Sequence, residues 1–284
     1  MKVTAVISLK AHYRLDVLLE VAELARSTFF HHQARLHKPD PDAELKAAIT
    51  TIFEDNHRRY GHRRVHCVLV AAGWTVAKKT VLKLMRELGL HCLVRRKRRY
   101  TSYQGVVGAV AENLLDRQFH ADAPAQKWVT DVTEFRVGDQ KAYLSPVMDL
   151  FDRQIFAYSI GRSPTLQLTN SSLSDALDTL TGDQTPLVHS DQGFQYQHTS
   201  WRRLLADAGA VQSMSRKGNC YDNAVIENFF GHLKEELFHH VRYLDIDALI
   251  TAVHHYIHWY NNDRISLQLE GLSPVQYRAQ TLAA

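Results

Sequence analysis

Apolar positions follow two different periods along this chain. They recur at helical spacing up to about residue 90, and as alternating or continuous short runs after about residue 125. In the front part, "RLDVLLEVAELARSTFFHHQARL" (14–36) predicts a helix, a break near residues 25–27 and a second short helix, the rhythm of a helix-turn-helix. The polar stretch "LHKPDPDAE" separates it from a second unit. There "AELKAAITTIFEDN" predicts one helix and "GHRRVHCVLVAAG" a second; a third follows Gly73, capped by Thr75 and closed by Gly89. In that third helix Val81, Leu84, Met85 and Leu88 make the core face, while Lys79, Lys83 and Arg86 line up at spacings of four and seven.

The back part changes character near "ADAPAQKWVTD". Three consecutive runs, "KWVTDVTEFRV", "KAYLSPVMDLF" and "RQIFAYSIGR", predict strands of an antiparallel meander with Asp131 inside the first. Pro146 is awkward in the second if that strand is central. A helix over about 166–181, a strand "PLVHSD", a helix with Trp201, Leu204 and Leu205, a strand "AVQSMS" and a long helix over 218–237 complete the order βββαβαβα. That order predicts an α/β sheet of mixed direction with helices on its faces. In the last helix Ile226, Phe229, Phe230, Leu233 and Leu237 form a core-facing stripe. Asn223, Glu227 and Lys234 form a second, narrow line at the edge of that stripe. A boundary glutamate loosely paired with a lysine would look the same, so this helix alone decides nothing.

Composition adds a compartment and a polarity. No apolar run approaches the roughly 18 residues of a membrane span, and the N-terminus lacks the apolar core and cleavage site of a signal peptide. Three widely spaced cysteines give no disulfide framework, so a cytoplasmic location is expected. Net charge is only +4, but residues 1–125 hold 21 Lys/Arg against 12 Asp/Glu and residues 126–284 hold 13 against 18. A basic front suits a polyanion, and an acidic back suits cations. The run Arg95, Arg96, Lys97, Arg98 and Arg99, followed by Tyr100 and Tyr103, is expected to grip phosphates.

Three carboxylates stand out by position: Asp131 in the first strand, Asp191 where "LVHSD" runs out into "QGFQY", and Glu227 on the last helix, with 35 residues between it and Asp191. The blocks "WVTDVTEF", "HSDQGFQY", "NCYDNAVIENFFGHLKEEL" and "YNNDRISLQLEGLSPVQY" resemble the DDE transposase and retroviral integrase superfamily. The resemblance is closest to the OrfB-type transposases of the insertion-sequence three family and spans about residues 45–280. It implies an RNase H-like catalytic core with Asp131, Asp191 and Glu227 as catalytic and metal-binding residues, and Lys234 as the family's basic residue seven places after the glutamate. Such carboxylates can hold two Mg²⁺ or Mn²⁺ ions for in-line displacement at a phosphodiester. Gln192 and Gln195, with Tyr196, are candidates to touch the DNA strand end, Lys234 to meet a phosphate near it, and Asn223 to position backbone or DNA, a simple surface role being the alternative; Lys79, Lys83, Arg86 and the basic run are candidates to bind double-stranded DNA. Gly193 permits a tight turn or a close backbone approach.

Other charged groups take plainer roles. Asp149, Asp152 and Glu134 are expected in turns or at the surface, Asp222 as a capping or first-turn acid, and Arg264 near DNA. His62, His66, Cys67, His91 and Cys92 lack the closing Cys-x-x-Cys of an integrase zinc module, so zinc is not expected.

The expected division is a helix-turn-helix-like region (1–40), a helix-turn-helix DNA-binding region with a basic tail (41–100), a linker (101–124) and an RNase H-like core with C-terminal helices (125–284). The expected function is metal-dependent cleavage at insertion-element ends and transfer of the 3′-hydroxyl strand into target DNA. The expected assembly is a homo-oligomer on DNA in a bacterial cell; the resemblance also admits an upstream-frame partner or a frameshift fusion to it. Two alternatives remain at this point: an RNase H-like nuclease that cuts without joining, and a DNA-binding regulator with an inactive core.

Overall fold

A computed structural model describes residues 2–36, 39–92, 110–217 and 219–283, so the basic run at 95–99 lies outside the described residues. Helices α1 (Lys2–Leu9), α2 (Leu15–Val21) and α3 (Arg26–Leu36) close round Val6, Leu19 and Phe29. Helices α4 (Ala43–Asp55), α5 (His62–Ala71) and α6 (Lys78–Glu87) form a second small core of Ile49, Phe53, Val65, Leu69, Val81, Leu84 and Met85. Lys79, Lys83 and Arg86 are exposed on α6, as the spacing predicts. Two details differ. The helix starts after Ala77 with no side-chain cap rather than at Thr75. Leu88 is 37% exposed, because Gly89 adopts φ 67° and Leu90 N–H turns back to the Met85 carbonyl.

The sheet contains β1 (Lys127–Thr130), β2 (Thr133–Val137), β3 (Gln140–Asp149), β4 (Ile155–Gly161), β5 (Leu187–Ser190) and β6 (Val211–Met214). What the sequence predicts as one first strand is two strands in a single register. Trp128 pairs with Asp149 and Thr133 with Leu144, so β1 and β2 both run antiparallel to β3. The ladder breaks at Asp131 and Val132, and continuing the register sets Pro146 opposite Asp131. Proline has no N–H to offer a neighbouring strand. Asp131 therefore lies in a gap between strands, not inside one.

β4 lies antiparallel on the other edge of β3, while β5 runs parallel to β1 and β6 parallel to β5. Side chains alternate across β1. Val129 faces the core shared with α10 (Ala224–Leu233) and α11 (Ile246–Asn262). Trp128 faces the core shared with α7 (Leu166–Leu177) and α9 (Thr199–Asp207), where Leu173, Trp201 and Leu205 are buried. The short α8 (Phe194–Gln197) follows β5, and α12 (Pro274–Leu282) closes the chain behind a Ser273–Gln276 capping box. The order is the predicted βββαβαβα once β1 and β2 are taken as one interrupted strand.

The long helix predicted over 218–237 is three pieces: a 3₁₀ turn Cys220–Asn223, α10, and a π turn Lys234–Phe238. The π turn buries Glu236 together with Leu237. Glu236 bonds Arg264 through both carboxylate oxygens, at 2.7 and 2.9 Å, and accepts from Tyr256 Oη at 2.8 Å. Burial pushes its carboxyl up, but the Arg264 charge and hydrogen bonds, with Arg64, outweigh this and hold it below the usual range. Arg264, expected near DNA, is thus a buried structural cation, only 5% exposed.

The same node seats α4–α6 on the sheet domain. Arg59 Nε donates to the Glu236 carbonyl at 3.1 Å, and its guanidinium lies 4.5 Å from the Trp259 ring centre. Tyr60 Oη donates to the Asp263 carbonyl and accepts from Ile265 N–H. Asp149 and Asp152 are buried rather than at the surface, 2% and 0% exposed. Asp149 does organise a turn, accepting from Phe151 N–H and Ala125 N–H, and Arg278 of α12 bonds both carboxylates. Glu134 is exposed and engaged by Lys141 and Tyr143.

Candidate active site

The pairing Lys127↔Leu187, Trp128↔Val188, Val129↔His189 fixes the parallel register of β1 and β5. Carried two residues past Val129, that register sets Asp131 beside Asp191. Two carboxylates therefore leave adjacent strands at their carboxyl ends, where open α/β sheets present their ligand sites. Each is fixed locally. Asp131 Oδ1 accepts from Val132 N–H at 2.7 Å, and Asp191 Oδ1 accepts from Gly193 N–H at 2.8 Å. The second oxygen of each carboxylate stands outside these bonds.

Gly193 has an ordinary φ of −57°, so a tight turn does not require it. Close approach does. A Cβ at this position would stand 2.9 Å from Asp191 Oδ1 and 3.0 Å from Gln195 Oε1.

Glu227 arrives from α10, half-buried between the core residues Ile226 and Phe230. Electrostatics tie the three acids together. Burial pushes the Asp131 carboxyl well above its usual range; the charges of Asp191 and Glu227 raise it further, while the Val132 N–H and the Lys234 ammonium oppose the shift. Burial also raises Asp191, against the Gly193 N–H. Lys234 lies 5.5 Å from the Phe135 ring centre, at the start of the π turn. The donor set is all oxygen, which suits hard divalent cations. Among the described residues, no three His, Cys, Asp or Glu side chains already enclose a metal position. His189 is not a spare ligand: its two ring nitrogens meet Ser213 Oγ and Ser215 Oγ, and burial lowers its pKa to about 4, leaving it neutral.

The other candidates divide. Asn223 is 3% exposed, which removes the surface role, and its Nδ2 donates to the Thr130 carbonyl at 3.3 Å. Gln192 spends its amide on the Ser215 carbonyl, and Gln195 is buried. Tyr196 is also buried, edge-on to Trp201, so it packs rather than reaching a strand end; Phe194 is 63% exposed.

Sequence reasoning missed Asp222. It is not a simple capping acid but a fully buried hub that accepts from Arg216, Arg117 and Asn113. Hydrogen bonds from Arg216, with Arg117, hold its carboxyl far below the usual range despite burial. The loop before α10 is thereby locked to residues 113–117. Glu236 was missed as well, although its position seven residues after Phe229 on the apolar stripe was a visible signal.

Comparisons with known proteins agree with this architecture. Two integrase core domain models match residues 121–220 and 227–282, and an HTH-like domain model matches residues 40–98. The InsK protein of insertion sequence element IS150 from Escherichia coli strain K12 is 46% identical over 96% of each chain. The transposase InsF of insertion sequence IS3A, from the same strain, is 32% identical over 96% of this chain and 97% of that one. Among solved structures, the catalytic core domain of HTLV-2 integrase aligns at 17% identity and a TM-score of 0.43, over 55% of this chain and 98% of that one. With near-full-length relatives at these identities, the chain belongs to the IS3 family of insertion-sequence transposases, DDE polynucleotidyl transferases with an integrase core.

Proposed function

We propose that Asp131, Asp191 and Glu227 are the metal-binding catalytic carboxylates of this transposase, and that it cleaves at the ends of its element and joins the freed 3′-hydroxyl to target DNA. The observation that carries the reading is the register: Asp131 and Asp191 fall side by side at the ends of β1 and β5, and the charge of Glu227 reaches Asp131. Two Mg²⁺ or Mn²⁺ ions, bound through these oxygens, would lower the pKa of the attacking water or 3′-hydroxyl and neutralise the leaving 3′-oxygen. The residues of this chain hold the geometry. Gly193 N–H orients Asp191, Val132 N–H orients Asp131, and Asn223 ties the segment preceding α10 to the strand end. Lys234, on the glutamate's own helix line, would meet a DNA phosphate beside the cleaved bond.

Double-stranded DNA is the partner that an HTH-like domain and transposase relatives imply. Lys79, Lys83 and Arg86 are its proposed contacts on α6, with the basic run at 95–99 gripping phosphates. The relative from element IS1353 of Shigella flexneri is 41% identical over 98% of this chain but only 54% of its own length. That supports a further segment acting with the core, as an upstream-frame partner or a fusion.

The test is a strand assay with labelled element-end DNA, Mg²⁺ and the variants Asp131→Asn and Glu227→Gln. Both should bind ends and neither should cleave or join. Cleavage without joining by the unaltered protein would favour the nuclease reading, and normal cleavage by either variant would remove the assignment.

A further inference from the structure

A cavity of about 490 Å³ opens between α10, the β3 end and the 3₁₀ turn Leu267–Leu269. That volume falls within the roughly 300–1,000 Å³ of small-molecule sites. One wall carries the guanidiniums of Arg64, Arg153 and Arg264; another is aromatic, with Phe119 and Tyr260. No carboxylate lines it among the described residues. Glu236 takes both bonds of Arg264 and lies 3.6 Å from Arg64, so two of these guanidiniums share one carboxylate. Asp149 and Asp152, whose charges also reach Arg153, are held by Arg278. Arg153 Nη2 donates to the Phe119 carbonyl at 2.7 Å, while its Nη1 is shut from solvent with no acceptor among the described residues. Burial lowers the pKa of both Arg64 and Arg153, against the raising charge of Glu236 on the first and of Asp149 and Asp152 on the second. Buried guanidiniums in excess call for an anion, and the planar fork of arginine suits phosphate.

We propose that this cavity binds one nucleotide unit of a DNA strand, its phosphate between Arg64 and Arg153 and its base against Phe119 and Tyr260. The inference rests on the chain's identity as a transposase. Asn228 of α10 lines the same cavity.

The experiment is calorimetry of a deoxynucleoside monophosphate with the full chain, in EDTA and at fixed ionic strength, so that the result does not depend on any metal site. Saturable binding is expected, at least tenfold tighter than that of the nucleoside without its phosphate. Leu267 is 49% exposed at the cavity rim. Leu267→Glu should weaken monophosphate binding at least tenfold and Leu267→Gln by less than twofold, with thermal unfolding confirming that both fold. The monophosphate should also compete with element-end DNA carrying three unpaired terminal nucleotides. The proposal is overturned by absent binding, by Leu267→Glu binding as tightly as the unaltered chain, or by binding that leaves the DNA undisplaced, which would make this a site for free nucleotides.

Discussion

Asn223 donates from Nδ2 to the carbonyl oxygen of Thr130, tying the turn that starts the Glu227 helix to the strand that delivers Asp131. Two of the three proposed catalytic acids thus share a strut, although 96 positions separate them in the chain. Asn223→Ala should lower cleavage and joining roughly 10- to 100-fold, the usual cost of losing a group that orients metal ligands, while gel-shift binding to element ends stays within twofold. A large loss of end binding would make Asn223 a DNA contact instead.

Gly193 carries a different constraint. An added methyl would press on Asp191 Oδ1 from 2.9 Å, while the backbone itself is unstrained at φ −57°. Gly193→Ala should therefore cut the cleavage rate at least tenfold and move the unfolding midpoint only a few degrees. The pairing of kinetics with a thermal melt separates displacement of Asp191 from general instability.

Asp131 sits where burial and the charges of Asp191 and Glu227 disfavour ionisation. Replacing it with the neutral isostere should relieve that penalty. In EDTA at neutral pH, Asp131→Asn is expected to melt roughly 2–4 °C higher than the unaltered protein, the shift that about 1 kcal/mol produces in a domain of this size. Excess Mg²⁺ should raise the midpoint of the unaltered protein and leave the variant nearly where it was. Equal metal responses in a melting series would remove Asp131 from the ligand set.

Asp222 behaves in the opposite sense. Its folded-state pKa is depressed by Arg216 and Arg117, so the stability it contributes is present above the unfolded value near 4 and is lost as pH falls through the folded value. Asp222→Asn should destabilise the protein by roughly 2 kcal/mol at pH 7, and the deficit should shrink below about pH 4. Denaturant unfolding at a series of pH values measures it; a deficit that grew toward acid would contradict the sign.

The strand and helix order was legible because the β-rich runs between 127 and 161 differ so sharply in period from the helices before them. The three proposed acids were singled out by position and by the blocks that carry the family resemblance. What escaped depended on partners remote in sequence. Asp222 meets Arg117 and Asn113 from 105 and 109 positions away, and Glu236 meets Arg264 from 28. Even Asp131 was placed inside a strand, because the effect of Pro146 emerges only when β3 is laid against β1 and β2 in register. A single-chain pattern holds the proline but not the residue it faces.

The seating of α4–α6 through Arg59 and Tyr60 has a metric consequence. On the proposed reading, in which Lys79, Lys83 and Arg86 meet DNA and Glu227 serves catalysis, the node that seats α4–α6 and terminates the Glu227 helix would make this chain a ruler. The number of base pairs between the sequence read and the bond cut would then be set by the protein's own dimensions. Elements mobilised by it would have to keep that interval constant even where their other sequence drifts.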